Sequence, residues 1–274
     1  MHLQLSTPTL TLFESALFQT VTTCYSTPEY TLLVDPNWLP GEVESIAAHV
    51  DRVGAGKPLY LFFTHSDYDH IIAWERFPGA ITLASEAFTG HPDPESVLQQ
   101  IRDFDEDNYI VRPYPITYPL IRHPIAGDGT ALLLGTDEWR FYQSPGHNRD
   151  GLIAFLPSQG MLIVGDYLSD VEFPFVEHSF ADYRATLDKV DGLLQSGAVR
   201  ILISGHGPHT RDPAAMQQRL RESRQYLADL ERAVREGIDF DQAALFQRYA
   251  FPRSQRPYHL ANVARVRSEM AEAD

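Results

Sequence analysis

The chain has 274 residues, of which 43% are hydrophobic and 22% charged, a composition typical of a globular protein. Cys24 is the only cysteine, which excludes an internal disulfide and a cysteine-based zinc site. The first residues lack the pattern of a signal peptide, and no apolar run is long enough to span a membrane, so we expect a cytoplasmic protein. The formal net charge of -15 disfavours binding to nucleic acid, which attracts cationic proteins.

The first part of the chain is predicted to be mostly strand. Its apolar and β-branched runs predict five strands, at residues 9–13, 17–21, 30–34, 59–63 and 80–84. Between the third and the fourth, apolar residues at helical spacing predict a helix over residues 41–53, ended by Gly54 and Gly56. The predicted order in this part of the chain is therefore an antiparallel meander, a helix and a buried strand.

Residues 85–125 allow two interpretations. They contain an acidic run and an aromatic, proline-rich piece with Tyr109, Tyr114 and Tyr118, and the prolines exclude a continuous helix. The segment is either an insertion that covers a site or a strand pair with a structural loop.

The second part repeats the order of the first. Further strands are predicted at residues 131–134, 139–142, 152–156, 161–164 and 201–203. Helical spacing predicts helices over residues 181–196, from Asp212-Pro213 to Gly237, and over about 257–272. Two such halves predict two sheets packed face to face with helices outside.

One segment after the predicted strand at 59–63 is rich in possible metal ligands. It reads Thr64-His65-Ser66-Asp67-Tyr68-Asp69-His70 and places four such side chains at the strand's C-terminal end. On extended chain His65 and Asp67 point to the same side, whereas Asp69 and His70 follow as the chain turns. The segment can therefore supply two adjacent metal positions. A polar loop with surface histidines is the alternative.

Three later strand ends carry one possible ligand each, beside a glycine. They are Gly146-His147, Gly165-Asp166 and Gly205-His206. Glycine allows tight turns and close approach of the backbone. Each signal alone is weak, but the set places seven ligand-type residues at similar structural positions.

With these motifs the sequence resembles the metallo-β-lactamase-fold hydrolase superfamily, over roughly residues 9–210. The resemblance implies an α/β fold, an αββα four-layer sandwich, with residues 1–210 as the family domain and residues 211–274 as C-terminal helices packed on it. It also implies a binuclear centre. One metal would be held by His65, Asp67 and His147, the other by Asp69, His70 and His206, and Asp166 would bridge them.

Position 67 departs from the family pattern, which usually has histidine there. An oxygen ligand moves the preference from zinc toward manganese or iron, and it adds negative charge to the site. An alternative is that Asp67 weakens metal binding beside His65 and His147, so that the protein binds only one metal ion. The diiron flavoproteins of the superfamily carry a glutamate at this position, so a diiron protein that reacts with oxygen or nitric oxide is an alternative function.

The resemblance implies a metal-dependent hydrolase that attacks a small ester, lactone, thioester or related bond through a metal-bound hydroxide. Asp69 is the candidate that orients the hydroxide, and Tyr167 is a candidate proton donor, although packing in the core is the alternative for this tyrosine. Arg149 is either an anion anchor or a surface residue. The apolar residues 171–176 and the tyrosines of 109–118 are candidates for a pocket wall, and the former also for a homodimer contact.

Two further functions are less consistent with the sequence. A nuclease of the same fold is disfavoured by the net charge and by the lack of a basic cluster near the motifs. A metal-free binding protein is disfavoured by the complete ligand set. We expect a small-molecule substrate and neither a nucleic-acid nor a membrane partner.

Overall fold

Two β-sheets form the centre of the protein, which is described by a computed structural model over residues 1–273. The first sheet has seven strands in sequential order: β1 (His2–Ser6), β2 (Leu10–Glu14), β3 (Val21–Ser26), β4 (Thr31–Val34), β5 (Leu59–Phe62), β6 (Ile81–Ser85) and β7 (His123–Ile125). Strands β1 to β4 pair antiparallel, and β4 to β7 pair parallel. The C-terminal ends of β4, β5 and β6 therefore lie at one edge of the sheet.

The second sheet has five strands: β8 (Thr130–Leu134), β9 (Asp137–Gln143), β10 (Leu152–Leu156), β11 (Met161–Ile163) and β12 (Ile201–Ile203). Its strands also neighbour each other in sequence order, and only β11 and β12 pair parallel. Because β11 and β12 run the same way, the residues that follow them meet at one end of this sheet.

Eight α-helices flank the sheets within residues 1–273. They are α1 (Pro40–Gly54), α2 (Tyr68–Ile71), α3 (Glu86–Thr89), α4 (Pro94–Asp107), α5 (Phe180–Gln195), α6 (Pro213–Glu236), α7 (Gln242–Arg248) and α8 (Pro252–Ala273). As predicted, Asp212 caps α6, accepting a hydrogen bond from the Ala214 N–H, and Gly237 ends it in the left-handed conformation at φ 65°. No helix in this part of the chain is both long and apolar enough to cross a bilayer.

Three apolar cores define the layers. The central core lies between the sheets, where Phe62 of β5 meets Phe141 of β9 with ring centroids 5.4 Å apart. A second core joins the first sheet to α1 and α4, and a third joins the second sheet to α5, α6 and α8. Each sheet thus buries both faces, and the predicted sandwich of helix, sheet, sheet and helix is confirmed.

Several predicted elements differ from the structure. The strand predicted at 17–21 is wrong, because residues 18 and 19 take positive φ values of 52° in a turn and the strand begins at Val21. Strand β1 and helix α7 were not predicted, and the last helix begins at Pro252 instead of 257. Residues 85–125 contain α3, α4 and β7, so the interpretation as a strand pair is wrong.

The turn before β3 joins the two sheets through backbone contacts, and we call this contact the seam (residues 18–21 with 205–207). The Val21 N–H donates to the Gly205 carbonyl at 2.7 Å, and the Gly207 N–H donates to the Gln19 carbonyl at 2.9 Å. Thr20 and His206 form an isolated antiparallel bridge. The seam fixes the end of β12 against the start of β3.

A buried carboxylate fixes the start of α1. Glu42 is 7% exposed and accepts hydrogen bonds from the Ser15 hydroxyl at 2.7 Å, the Ala16 N–H at 3.0 Å and the Leu39 N–H at 3.2 Å. Burial raises the pKa of Glu42, but the hydrogen bonds from Ala16 and Ser15 act against it and leave the pKa below its ordinary value. The ionised side chain therefore stabilises the fold.

We expect Glu42→Gln to reduce the free energy of unfolding at pH 7 by about 1–3 kcal/mol, because buried donors lose a charged acceptor. The folded pKa lies below the unfolded one, so the contribution is present above the unfolded value of about 4.3 and is lost as the pH falls through the folded value. Urea unfolding at several pH values measures this difference. Glu44→Gln is the control, since Glu44 pairs with Arg76 on the exposed face of α1. An equal loss in both variants would contradict the prediction.

Candidate metal centre

The segment after β5 supplies four of the predicted ligands. The chain continues from Phe62 through His65 and then turns into the short helix α2, which carries Asp69 and His70. His65 and His70 are buried, at 2% and 0% exposure. Asp67 contacts His65 and Asp69 contacts His70, while the rings of His65 and His70 themselves lie 4.0 Å apart.

The remaining three predicted ligands come from the second sheet. His147 follows β9, Asp166 follows β11 and His206 follows β12. Glycine is required beside the last of these, because a Cβ at position 205 would overlap Asp166 Oδ1. The sequence therefore lets the end of β12 approach the end of β11 closely enough to place both side chains in one cluster.

The seven side chains form two groups that share Asp166. In the first group, Asp67 Oδ2 lies 3.0 Å from His147 Nε2 and 3.4 Å from His65 Nε2. In the second, Asp69 Oδ2 lies 3.5 Å from His206 Nε2 and 3.7 Å from His70 Nε2.

Asp166 stands between the groups. Its Oδ1 is 3.2 Å from His70 Nε2, and its Oδ2 is 3.2 Å from His206 Nε2 and 3.5 Å from His147 Nε2. One carboxylate thus contacts imidazoles of both groups, which is the position that a bridging ligand requires.

The donor atoms fit divalent metal ions. His65 Nε2, His70 Nε2 and Asp166 Oδ1 are buried and have no hydrogen-bond partner among residues 1–273. Buried polar atoms without partners are costly, and a coordinated cation would satisfy all three. Without Asp166, the three candidate ligand atoms of each group lie within 4.8 Å of one another. Asp166 forms further sets of this kind with His65 and His70, and with Glu172 and His206. Imidazole and carboxylate donors suit zinc, manganese and iron.

Each imidazole is held so that Nε2 points into the cluster. The Nδ1–H of His147 donates to the Phe175 carbonyl at 2.8 Å, and that of His206 donates to the Phe18 carbonyl at 2.9 Å. His70 Nδ1 lies 3.0 Å from Asp35 Oδ2, and His65 Nδ1 lies 2.9 Å from Thr64 Oγ1. Such contacts fix the tautomer and orientation of metal-binding histidines.

Asp35 is a site residue that the sequence analysis missed. It follows β4, is 2% exposed, and accepts hydrogen bonds from the Thr64 N–H at 2.9 Å and the Thr64 hydroxyl at 2.6 Å, besides its contact with His70. Since the Thr64 hydroxyl donates to Asp35, it can accept the Nδ1–H of His65. The signal that could have found Asp35 is an acidic residue directly after a buried strand, in Leu33-Val34-Asp35-Pro36.

The electrostatics of the cluster favour positive charge. Burial raises the pKa of Asp67 and Asp166, but the imidazoles of His65 and His206 respectively act against it and leave both pKa values well below the ordinary range. Burial lowers the pKa of His147, yet its hydrogen bond to Asp67 raises the pKa to about 10. The carboxylates are thus stabilised by positive charge beside them, on the imidazoles or on a bound metal ion.

A cavity of about 380 Å³ lies above the cluster. Its floor is formed by five of the predicted ligands: Asp67, Asp69, His147, Asp166 and His206. The walls come from α4 (Val97 and Gln100), from α8 (Ser254, Gln255 and Tyr258), from residues 172–177, and from Phe18 and Tyr68. The 85–125 segment therefore contributes to the cover through α4, whereas the tyrosines at 109, 114 and 118 do not line the cavity.

Two glutamates on the cavity wall were not identified from the sequence. Glu172 lies with its Oε1 3.9 Å from His206 Nδ1, and burial raises the pKa of Glu172 to about 7. Glu177 stands exposed at the rim. A single acidic residue inside the apolar run 171–176 is the signal that could have indicated Glu172.

Tyr167 and Arg149 lie away from this cavity. The Tyr167 hydroxyl accepts from the His147 N–H at 3.0 Å and lies 2.8 Å from the Pro145 carbonyl, and the side chain is 2% exposed. This geometry favours the alternative of packing in the core over proton donation to a substrate. Arg149 is exposed and lines a neighbouring cavity of about 410 Å³ that also contacts Asp67.

Comparison with solved structures supports the fold. A metallo-beta-lactamase family protein from Thermus thermophilus superposes with a TM-score of 0.61 at 19% identity, over 83% of this chain and 82% of that one. The stereoselective inverting sec-alkylsulfatase Pisa1 from Pseudomonas sp. gives 0.65 at 14% identity, over 85% of this chain and 42% of that one. A metallo-beta-lactamase from Pontibacter korlensis gives 0.55 at 16%, over 81% and 98%.

No curated protein matches the sequence significantly. Several solved neighbours are named as metallo-beta-lactamases and one protein as a sec-alkylsulfatase, and the superfamily is mainly enzymatic and typically binds divalent metals. The family model described as "Metallo-beta-lactamase superfamily" matches residues 17–230. This match covers well over half of the sequence, and it confirms the predicted family: the chain belongs to the metallo-β-lactamase superfamily.

Proposed function

We propose that the protein is a metal-dependent hydrolase of a small molecule with an ester, lactone, thioester or related bond. The observation that carries the proposal is the convergence of four imidazole Nε2 atoms and three carboxylates beneath a cavity of about 380 Å³. The cavity is large enough for a small substrate, and the cluster lies at its floor, where a bond to be cleaved can approach it.

We assign the ligands as the two groups described above. His65, Asp67 and His147 would hold one divalent ion, Asp69, His70 and His206 the other, and Asp166 would contact both. Zinc, manganese and iron all fit such donors, and the carboxylate at position 67 favours manganese or iron over zinc. The number and identity of the ions are part of the proposal.

When bound, the ions would supply a water of lowered pKa and polarise the substrate oxygen. Residues of the chain would accept the proton and shape the site. Asp69 lines the cavity, so a carboxylate oxygen that is not used for coordination can accept the proton of the attacking water. The fixed imidazoles keep the cluster rigid, and the walls from α4 and α8 restrict the access of bulk water.

Other parts of the proposal follow from the sequence. They are a cytoplasmic location, a family domain over residues 1–210 with C-terminal helices from 211, the absence of nucleic-acid and membrane partners, and a homodimer as one possible assembly. Asp274, the last residue of the predicted C-terminal region, lies outside the described residues.

A diiron protein that reacts with oxygen or nitric oxide is the second candidate. The observation that favours it is the position of Asp67, whose carboxylate contacts His65 and His147 where the family usually has a histidine. Elemental analysis of protein purified without added metal, a visible spectrum and a panel of ester, lactone, thioester and phosphodiester substrates separate the two. An oxygen-sensitive iron spectrum without hydrolysis of any substrate would reject the hydrolase proposal.

We expect Asp166→Ala to abolish the binding of two metal ions, because it removes the one carboxylate among residues 1–273 that contacts imidazoles of both groups. Hydrolysis should fall by at least about a hundredfold, in line with the loss of a group that acts on the transition state. Metal content per chain and kcat/KM measure the two effects. Asp51→Ala, at an exposed position on α1, should change neither. Two metals in the Asp166 variant would show that the bridge is wrongly assigned.

We expect Asp35→Asn to weaken metal binding by about 10–100-fold, because the residue orients His70 directly and His65 through Thr64. Thr64→Val removes the contact to His65 and the hydroxyl bond to Asp35 but leaves the contact between Asp35 and His70, so its effect should be larger at the ion beside His65, Asp67 and His147. Metal titrations of both variants, followed by competition with a chelator, measure the affinities. Unchanged affinity in both would contradict an orienting role for these residues.

A further inference from the structure

The wall of the cavity above the cluster is acidic. Among the described residues that line it there is neither a lysine nor an arginine, whereas Glu172 and Glu177 add two carboxylates to those of the predicted ligands. Neither glutamate forms an ion pair with an arginine or a lysine within residues 1–273. Their charge is therefore available to a molecule in the cavity.

The nearest imidazole, that of His206, does not form a hydrogen bond with Glu172. Its Oε1 is 3.9 Å from His206 Nδ1, which is beyond hydrogen-bond distance, and that nitrogen already donates to the Phe18 carbonyl at 2.9 Å. The Glu172 side chain is only 14% exposed, so water solvates it poorly. A carboxylate in this environment gains from a cation placed beside it.

The side-chain amide of Gln255 on α8 independently indicates that a hydrogen-bond donor is missing from the cavity. The residue is 4% exposed and lines the cavity, and its Nε2 donates to the Val171 carbonyl at 2.7 Å. This bond fixes the amide orientation, and the other end, the carbonyl oxygen Oε1, has no donor among residues 1–273. The wall therefore has acceptors in excess, from Glu172 and from Gln255.

Aromatic rings complete this side of the cavity. The Tyr258 ring of α8 stacks on Phe175, with centroids 4.1 Å apart and an interplanar angle of 4°, and both residues line the cavity together with Tyr68. The faces of tyrosine rings attract cations. The cluster and the cavity wall together have five carboxylates, three from the ligand aspartates and two from the glutamates. Two bound divalent ions would therefore not make the net charge of these groups positive.

We propose that the substrate carries a protonated amine, which binds between the carboxylate of Glu172, the Oε1 of Gln255 and the ring of Tyr258. This inference rests on the proposed hydrolase function and specifies its substrate class. An ammonium group with N–H donors satisfies both the charge of Glu172 and the unpaired acceptor of Gln255. Glu177 at the rim attracts the same group on its way into the cavity.

Three p-nitrophenyl esters of similar chain length test the proposal on the metal-loaded protein: 6-aminohexanoate, heptanoate and the monoester of adipate. We expect kcat/KM for the cationic ester to exceed that of the neutral one by about 10–100-fold, the range for a hydrogen-bonded charge, and the anionic ester to be poorest. Glu172→Gln should remove most of this preference, and Glu177→Gln, at an exposed position, should reduce it. Glu236→Gln, at the exposed end of α6, should leave it unchanged. Equal rates for the cationic and neutral esters would overturn the proposal.

Calorimetry with n-hexylamine and with 1-hexanol separates this inference from the proposed function. If no ester is hydrolysed but hexylamine binds and hexanol does not, the hydrolase proposal fails while the cation site stands. If hexylamine does not bind to the unaltered protein, the cation site is rejected. Metal content is measured in parallel, and loss of an ion in Glu172→Gln would overturn the proposal, since the carboxylate would then be a ligand.

Discussion

Both metal-ligand groups depend on the hydrogen bonds that the Asp35 carboxylate accepts. Because β4 and β5 are parallel neighbours, the residues after both strands lie at the same edge of the sheet, and Asp35 reaches Thr64 and His70 from there. Its two oxygens receive three hydrogen bonds, so a buried charge is fully satisfied. One side chain thereby orients an imidazole in each metal-ligand group, and a shift of the β4 end would disturb both.

The sequence alone predicted the sandwich and the positions of the seven ligand-type residues, because both depend on local patterns. Apolar runs locate buried strands, and the His-x-Asp-x-Asp-His motif and the Gly-His and Gly-Asp pairs mark strand ends. Strand 17–21 was wrong for a physical reason: Phe18 is apolar, but its ring packs at 6.0 Å from Trp38, so it belongs to a turn that covers the cavity. Hydrophobicity alone cannot distinguish these two uses.

The walls of the cavity could not be predicted, because they depend on contacts between distant parts of the chain. Tyr258 and Gln255 come from the last helix. The helical period predicts which residues share one face of this helix, but not which part of the protein that face packs against. The same limit applies to Asp35, whose partners are about thirty residues away in sequence. The floor of the site follows the family motif, whereas its walls are properties of this chain.

The seam between residues 18–21 and 205–207 has a consequence for how the protein is made. It joins parts of the chain that are nearly 190 residues apart, and such long-range contacts form late because a large loop must close first. On the ribosome the chain emerges from its N-terminus, so the residues of the group that ends at His147 appear before His206. The cluster is complete only after the end of β12 has been synthesised and has docked on the first sheet, and any metal acquired earlier meets an unfinished set of ligands.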